Sequence, residues 1–185
     1  MLSKGSERKL YEKYDSVTVV IVNWNSGNHL AKFLDKLCEQ TLAPTKTIVV
    51  DNASTDGSER VVEQCQNISL IQAGSNLGFA GGNNLAIKEI DTQYVALLNP
   101  DAFPEPTWLE RLVEAAKKYP DVAAFGSRQM IHGSDDLIDG LGDVYQLSGL
   151  VWRSGHGRDL SSAESVLPFS GADSCSIVGC CAQLD

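Results

Sequence analysis

The chain has 185 residues, 43% of them hydrophobic, and a formal net charge of −9 at pH 7. This length and composition are typical of one globular domain with a sizeable core, and the acidic balance excludes the basic surface that nucleic-acid binding requires. No run of 18 apolar residues occurs, so no transmembrane segment is predicted. The charged N-terminus lacks the apolar stretch of a secretory signal. The cysteines fit neither a zinc site nor a redox pair. We therefore expect a cytoplasmic protein with reduced thiols.

Strand and helix patterns alternate from residue 17 onward. Residues 17–23 are β-branched and apolar on both faces, which is typical of a strand buried in a parallel sheet. Asn25 or Ser26 is placed to cap the helix that follows, where apolar residues recur at helical spacing. Residues 46–51 predict a second buried strand, and a helix through Val61, Val62 and Cys65 follows it.

The alternation continues with three more strands, at 68–72, at 94–98 and from 122 to 125. A glycine-rich turn after the first of these leads into a helix that carries Leu85. Pro104 or Pro106 opens the next helix, where proline costs least. Trp108 lies on the apolar face of that helix and is expected in the core. Short connections between alternating elements predict an α/β fold with a mainly parallel sheet flanked by helices.

Polar residues follow the first four strands at corresponding points. Because right-handed crossovers bring the carboxyl ends of parallel strands to one edge, these residues should lie together there. One such residue is usually a turn former, but polar residues after four strands on one edge favour a binding site. These residues are Asn23 to Asn25, Asp51 and Asn52, Asn76, and Asn99 to Asp101.

The chemistry at these strand ends narrows the class of ligand. The sequence has no P-loop, no dinucleotide-binding glycine fingerprint and no nucleophile elbow. Asp51 is placed to accept a hydrogen bond from a base or a ribose hydroxyl. Glycines 78, 81 and 82 allow a ligand close to the backbone, or simply form a tight turn. Asp101 is suited to a hard cation, Mg²⁺ or Mn²⁺, which an acidic protein needs beside a diphosphate.

Four motifs together resemble the family 2 glycosyltransferases of GT-A (Rossmann-like) fold, in the branch similar to bacterial rhamnosyltransferases. They are VTVVIVNWNS, VVDNASTDGS, NLGFAGGNN and LLNPDAFPEPTWLERL, and the likeness covers roughly residues 15–160. It implies transfer of a sugar such as rhamnose from a UDP- or dTDP-linked donor to a saccharide or lipid-linked acceptor, assisted by Mg²⁺ or Mn²⁺. It also implies polysaccharide biosynthesis at the inner face of the membrane, and it leaves peripheral membrane association and oligomerisation open.

The resemblance also assigns site residues. Asp101 is the implied metal ligand, because Asn99 replaces the first Asp of the family's D-x-D motif. The implied nucleotide-binding residues are Asn23, Asn25, Asp51, Asn52, Asn76, Gly78, Gly81, Asn84 and Asn99. The expected domains are a flexible lead-in at 1–15, a nucleotide-sugar-binding domain at 16–170 and a divergent tail at 171–185.

The sequence departs from the family pattern near its C-terminus. Family members continue further and carry a Glu-Asp pair that supplies the general base, whereas no such pair occurs here. We therefore expect a GT-A fold whose C-terminal part is missing, with the catalytic base unknown. Two alternatives stay open. One is a nucleotide-sugar and metal-binding module that transfers no sugar. The other is a nucleotidyltransferase, although this chain lacks the basic loop that such an enzyme carries after the first strand.

Residues 131–158 form a glycine-rich segment with a β-like centre. Arg153, His156 and Arg158 make a small basic cluster within it. Two interpretations are equally good. These residues contact the diphosphate or the acceptor, or they form ordinary charge pairs in a solvent-exposed hairpin.

Overall fold

The computed structural model describes residues 15–65, 67–145, 150–162 and 180–183. Its centre is a sheet of parallel strands in the order β3-β2-β1-β4. The strands are β1 (Val17–Asn23), β2 (Lys46–Asp51), β3 (Ile68–Gln72) and β4 (Tyr94–Leu97). The α/β prediction is confirmed.

The burial of the strands follows their position in the sheet. Every residue of the central strand β1 is buried, as its apolar, β-branched sequence requires. The edge strand β3 is only half-buried. Asn23 and Asp51 pair as the last residues of β1 and β2, so the two strands end level and the loops that follow them start side by side.

The sheet has helices packed against it. They are α1 (His29–Cys38), a 3₁₀ helix (Ser58–Gln64), α2 (Gly78–Ile87) and α3 (Trp108–Lys118). Ala86 of α2 is fully buried in a cluster with Val20, Ile48, Val50 and Val95 of the sheet. The predicted second helix exists as a 3₁₀ helix, and no described helix is long and apolar enough to span a bilayer.

The caps predicted for α1 and α3 are wrong. No side chain caps α1, whose N-cap is Asn28. The Asn25 and Ser26 side chains contact other groups at the strand ends. Neither Pro104 nor Pro106 lies within α3, which begins at Trp108. Instead Gln40, from the end of α1, accepts a hydrogen bond from the Leu109 N–H of α3 at 3.0 Å. A distant side chain therefore does the work of a local cap.

The apolar face of α3 is nearly as predicted, with Leu109, Leu112, Val113 and Ala116 buried. Trp108, predicted in the core, is only half-buried. The fifth strand, β5 (Ala124–Gly126), is short and largely exposed, and Val122 lies before it with 38% of its surface accessible. The prediction of a strand from 122 therefore starts two residues too early.

The chain divides into two compact units, the first reaching Phe125 and the second beginning at Gly126. The first unit also holds β10 (Cys180–Gln183), which runs antiparallel beside β4. The boundaries expected at residues 15 and 170 stay predictions. Residues 1–14 and 171–179 lie outside the described residues.

The second unit contains two small antiparallel pairs. They are β6 (Gln129–Met130) with β7 (Ile138–Gly140), and β8 (Asp143–Tyr145) with β9 (Val151–Arg153). The Arg153 guanidinium forms an ion pair with Asp139. His156 Nδ1 lies 3.3 Å from Asp139 Oδ1. These contacts support the interpretation of the basic cluster as ordinary charge pairs of a hairpin.

Candidate functional site

A cleft opens at the carboxyl edge of the sheet, where β1 and β4 end. Its volume is about 370 Å³. The segment after β1 and the segment after β4 form its two walls. The lining residues are Val22, Trp24, Asn25, Ser26 and His29 from the β1 side, and Asn99, Pro100 and Asp101 from the β4 side. The edge rule for parallel sheets thus predicts the place of the cleft correctly.

Asn23 lies beneath the β1 side of the cleft and is fully buried. Its amide nitrogen donates toward Asp51 Oδ1 at 2.9 Å, and toward the hydroxyls of Ser54 and Ser58 at 3.0 Å each. An amide has two N–H groups, so three acceptors share two hydrogens. Its oxygen accepts from the Ser26 hydroxyl. Asn23 is therefore fully occupied by protein contacts.

Asp51 is also turned toward the protein, and only 2% of its surface is exposed. One carboxylate oxygen accepts from Asn23 and the other from the Ser54 N–H at 3.1 Å. The neighbouring Asn52 is buried as well, and its amide donates to the Gly78 carbonyl at 3.0 Å. The binding roles implied for these side chains stay predictions, and the geometry gives each of them a structural contact.

The loop after β1 is joined to the loop after β2 by a set of hydrogen bonds that we call the interloop contact, between residues 25–27 and 54–56. The Asn25 N–H donates to Ser54 Oγ at 3.0 Å, and the Thr55 N–H donates to Asn25 Oδ1 at 2.8 Å. The Gly27 N–H donates to Asp56 Oδ2 at 2.8 Å. Hydrogen bonds from Ser58 and Gly27 lower the pKa of Asp56. The β1 wall of the cleft is thereby fixed to its neighbour.

The β4 wall differs, because its polar side chains are not engaged. Among the described residues, neither Asn99 nor Asp101 has a side-chain hydrogen bond or ion pair. Asp101 is exposed and Asn99 is half-buried, and both line the cleft. One carboxylate with a neighbouring amide oxygen suits Mg²⁺ or Mn²⁺, which take few protein ligands and complete their shell with substrate phosphates and water. No cluster of three His, Cys, Asp or Glu residues occurs in the described part of the chain.

The glycine-rich turn before α2 is built from its own local contacts. Asn76 Oδ1 accepts from the Gly78 N–H at 2.8 Å, and Gly78 has a φ of +70°. A Cβ on Gly82 would lie 2.8 Å from Val22 Cγ1, so that glycine allows α2 to pack on β1. The structure places none of Asn76, Gly78, Gly81 and Asn84 in the cleft lining.

Of the predicted site residues, the structure brings Asn25, Asn99 and Asp101 together in the cleft. Sequence reasoning missed His29 and Val22, and took Ser26 for a cap. His29 is the first residue of α1, and its ring lies 6.1 Å from the Phe103 ring between centroids. The sequence signal that could have identified His29 is its position, because a residue at a helix start beside a strand end faces the ligand edge.

A comparison with protein-family models decides the family. The model described as glycosyl transferase family 2 matches residues 18–163. The chain belongs to glycosyl transferase family 2. This is the family that the four motifs predict.

Two curated relatives are rhamnosyltransferases by name. An N-acetylglucosaminyl-diphospho-decaprenol L-rhamnosyltransferase of Mycobacterium tuberculosis is 31% identical over 124 residues, which cover 60% of this chain and 40% of the relative. The O-antigen chain rhamnosyltransferase RfbN of Salmonella typhimurium is 30% identical, with 63% of this chain and 38% of the relative covered. The chain thus spans about 40% of the length of these two relatives.

Solved structures confirm the GT-A fold. S. aureus TarS in complex with UDP matches with a TM-score of 0.57 and 21% identity, over 64% of this chain and 37% of that one. The mannosyltransferase PcManGT from Pyrobaculum calidifontis, in complex with GDP-Man and Mn²⁺, matches with a TM-score of 0.51 and 25% identity, over 69% and 41%.

Proposed function

We propose that this glycosyltransferase transfers a sugar from a UDP- or dTDP-linked donor, with a divalent cation held at Asp101. The observation that carries the proposal is the pair of unengaged oxygen-bearing side chains, Asn99 and Asp101, in a cleft at the ligand edge of the sheet. On the β1 side, Asn23, Asp51 and Asp56 already form hydrogen bonds with protein groups.

Charge supports a cation at this place. The chain carries a net charge of −9, and Asp101 adds a negative charge to the cleft itself. A nucleoside diphosphate would be repelled unless a cation lay between the two. When bound, the cation supplies Lewis-acid stabilisation of the charge that builds on the leaving diphosphate.

The other lining residues have roles that follow from their chemistry. Trp24 is 57% exposed and offers an aromatic face to a base or a sugar ring. His29 has ring nitrogens without a hydrogen-bond partner among the described residues, so its ring N–H is available to donate to a phosphate oxygen. Asn25 and Ser26 offer further polar groups on the same wall. Together they would orient the donor against Asp101.

The relatives favour a particular donor and acceptor class. Two of them are named for rhamnose transfer, and the name of one includes N-acetylglucosaminyl-diphospho-decaprenol, which is a lipid-linked saccharide. PcManGT holds Mn²⁺ together with its sugar nucleotide. We therefore propose a saccharide or lipid-linked acceptor, and a place in polysaccharide biosynthesis on the cytoplasmic side of a membrane.

A second candidate function is nucleotide-sugar binding without transfer. Among the described residues that line the cleft, Asp101 is the one carboxylate, so no second acidic group stands ready to deprotonate an acceptor hydroxyl. This candidate shares the cation and the nucleotide with the first and differs only in turnover.

Titration calorimetry tests what the two candidates share. The protein is titrated with UDP, dTDP and GDP, each with Mn²⁺ and with EDTA. We expect UDP or dTDP to bind, and the binding to require the metal. Equal affinity in EDTA would contradict the role of Asp101. Release of free sugar from UDP- and dTDP-sugars then separates the candidates, because a binding module hydrolyses no donor.

A further inference from the structure

Ser54 occupies a special place in the interloop contact because its hydroxyl joins two asparagines. The oxygen accepts from the Asn25 N–H at 3.0 Å and from the Asn23 amide at 3.0 Å. Asn25 lines the cleft, whereas Ser54 does not. Any effect of Ser54 on a ligand must therefore pass through the residues that it holds.

Asn25 has a left-handed backbone conformation. Its φ is +50°, in a region that asparagine adopts more readily than most residues other than glycine. Ser54 holds its N–H, and the Thr55 N–H holds its side-chain oxygen at 2.8 Å. These reciprocal bonds fix both the backbone and the side chain of a cleft residue in one conformation.

We propose that Ser54 is a positioning residue for nucleotide-sugar binding, which fixes the β1 wall of the cleft before the donor arrives. The inference rests on the proposed function for its ligand. A wall that is already ordered loses less conformational freedom on binding. Loss of one hydrogen bond of this kind should weaken nucleotide binding by about threefold to tenfold.

The test compares Ser54→Ala with Ser54→Thr, which keeps the hydroxyl, and with Ser16→Ala as a matched control. Ser16 is a buried serine at the opposite end of β1, and its hydroxyl accepts from the Gln93 N–H at 3.0 Å. Each protein is measured twice: by hydrogen–deuterium exchange over residues 24–28, and by calorimetry with UDP and Mn²⁺.

We expect faster exchange and weaker UDP binding in Ser54→Ala alone. Unchanged exchange in that variant would overturn the inference, and so would a Ser54→Thr variant that behaves like the alanine. Faster exchange with unchanged UDP affinity would overturn the positioning role. If the wild type binds no nucleotide, the proposed function fails and the positioning role fails with it, while the exchange result still reports separately on the hydrogen bond.

Discussion

The two walls of the cleft are built in opposite ways. On the β1 wall, residues 25–27 are joined to residues 54–56 by hydrogen bonds of 2.8 to 3.0 Å. On the β4 wall, the side chains of Asn99 and Asp101 have no such bonds among the described residues. Each wall carries an asparagine, Asn25 on one and Asn99 on the other, so residue type alone does not tell a hydrogen-bonded side chain from an unengaged one.

The difference separates two uses of the same residue types. A buried carboxylate or amide with its hydrogen-bond capacity filled, such as Asp51 or Asn23, stabilises a loop. An exposed carboxylate with free oxygens, such as Asp101, is available to a ligand. We therefore infer that the β1 wall supplies shape and the β4 wall supplies the charged contact.

The largest effect is expected from Asp101→Asn, which keeps the shape and removes the charge. Because the proposed cation loses its carboxylate, turnover of a UDP- or dTDP-sugar should fall by about 100-fold. Steady-state release of nucleoside diphosphate measures it. The control is Asp121→Asn, another exposed aspartate, which lies outside the cleft. Equal activity in the two variants would contradict the claim that the β4 wall supplies the charged contact to the ligand.

The part of the site on which this prediction depends can be predicted from the sequence. Apolar runs identify the strands, and parallel topology puts Asn25, Asn99 and Asp101 at one edge. The direction in which each side chain points cannot be predicted from the sequence. Asn23 and Asp51 lie side by side because β1 and β2 pair with their last residues opposite each other, so the two side chains hydrogen-bond to each other. That register is a property of the sheet.

The next largest effect is expected from Gly82→Ala, which tests the packing behind the β1 wall. The new methyl would lie 2.8 Å from Cγ1 and 3.0 Å from Cγ2 of Val22, a cleft-lining residue. Overpacking of this kind costs about 1 to 3 kcal/mol. Urea denaturation measures the loss of stability. Gly126→Ala is the control, because a Cβ there meets nothing within 4 Å, and a similar loss in both variants would speak against tight packing at Val22.

A smaller effect is expected from His29→Ala. If its ring donates to the diphosphate, UDP affinity should fall by about threefold to tenfold, while any affinity for uridine should not change. Calorimetry with both ligands measures this difference. His132→Ala, an exposed histidine of the second unit, serves as the control. An equal loss for uridine and UDP would assign His29 to the base or to the wall rather than to phosphate.

The smallest effect is expected from Asp56, which is exposed. Its pKa is lowered by hydrogen bonds from Ser58 and Gly27, so its contribution to stability is present above the ordinary aspartate pKa of about 3.9 and is lost as pH falls through the lower folded-state value. Asp56→Asn should therefore lower the melting temperature slightly at pH 7 and converge with the wild type in strong acid. A difference that grows toward low pH would reverse the sign and contradict the interloop contact.

The helix ends show another limit of sequence reasoning. Asn25 and Ser26 have the chemistry of caps, yet their hydrogen bonds go to Thr55 and Asn23. The Leu109 N–H of α3 finds its partner in Gln40, 69 positions away. Local rules rank the candidates for a hydrogen bond, but tertiary contacts decide between them.

Anomalous scattering at the manganese edge, from crystals grown with UDP or dTDP and Mn²⁺, tests the central claim most directly. We expect a manganese peak at direct-ligand distance, about 2 Å, from a carboxylate oxygen of Asp101, with the diphosphate on its far side. Nucleotide bound in the cleft with manganese elsewhere, or with none, would contradict the account.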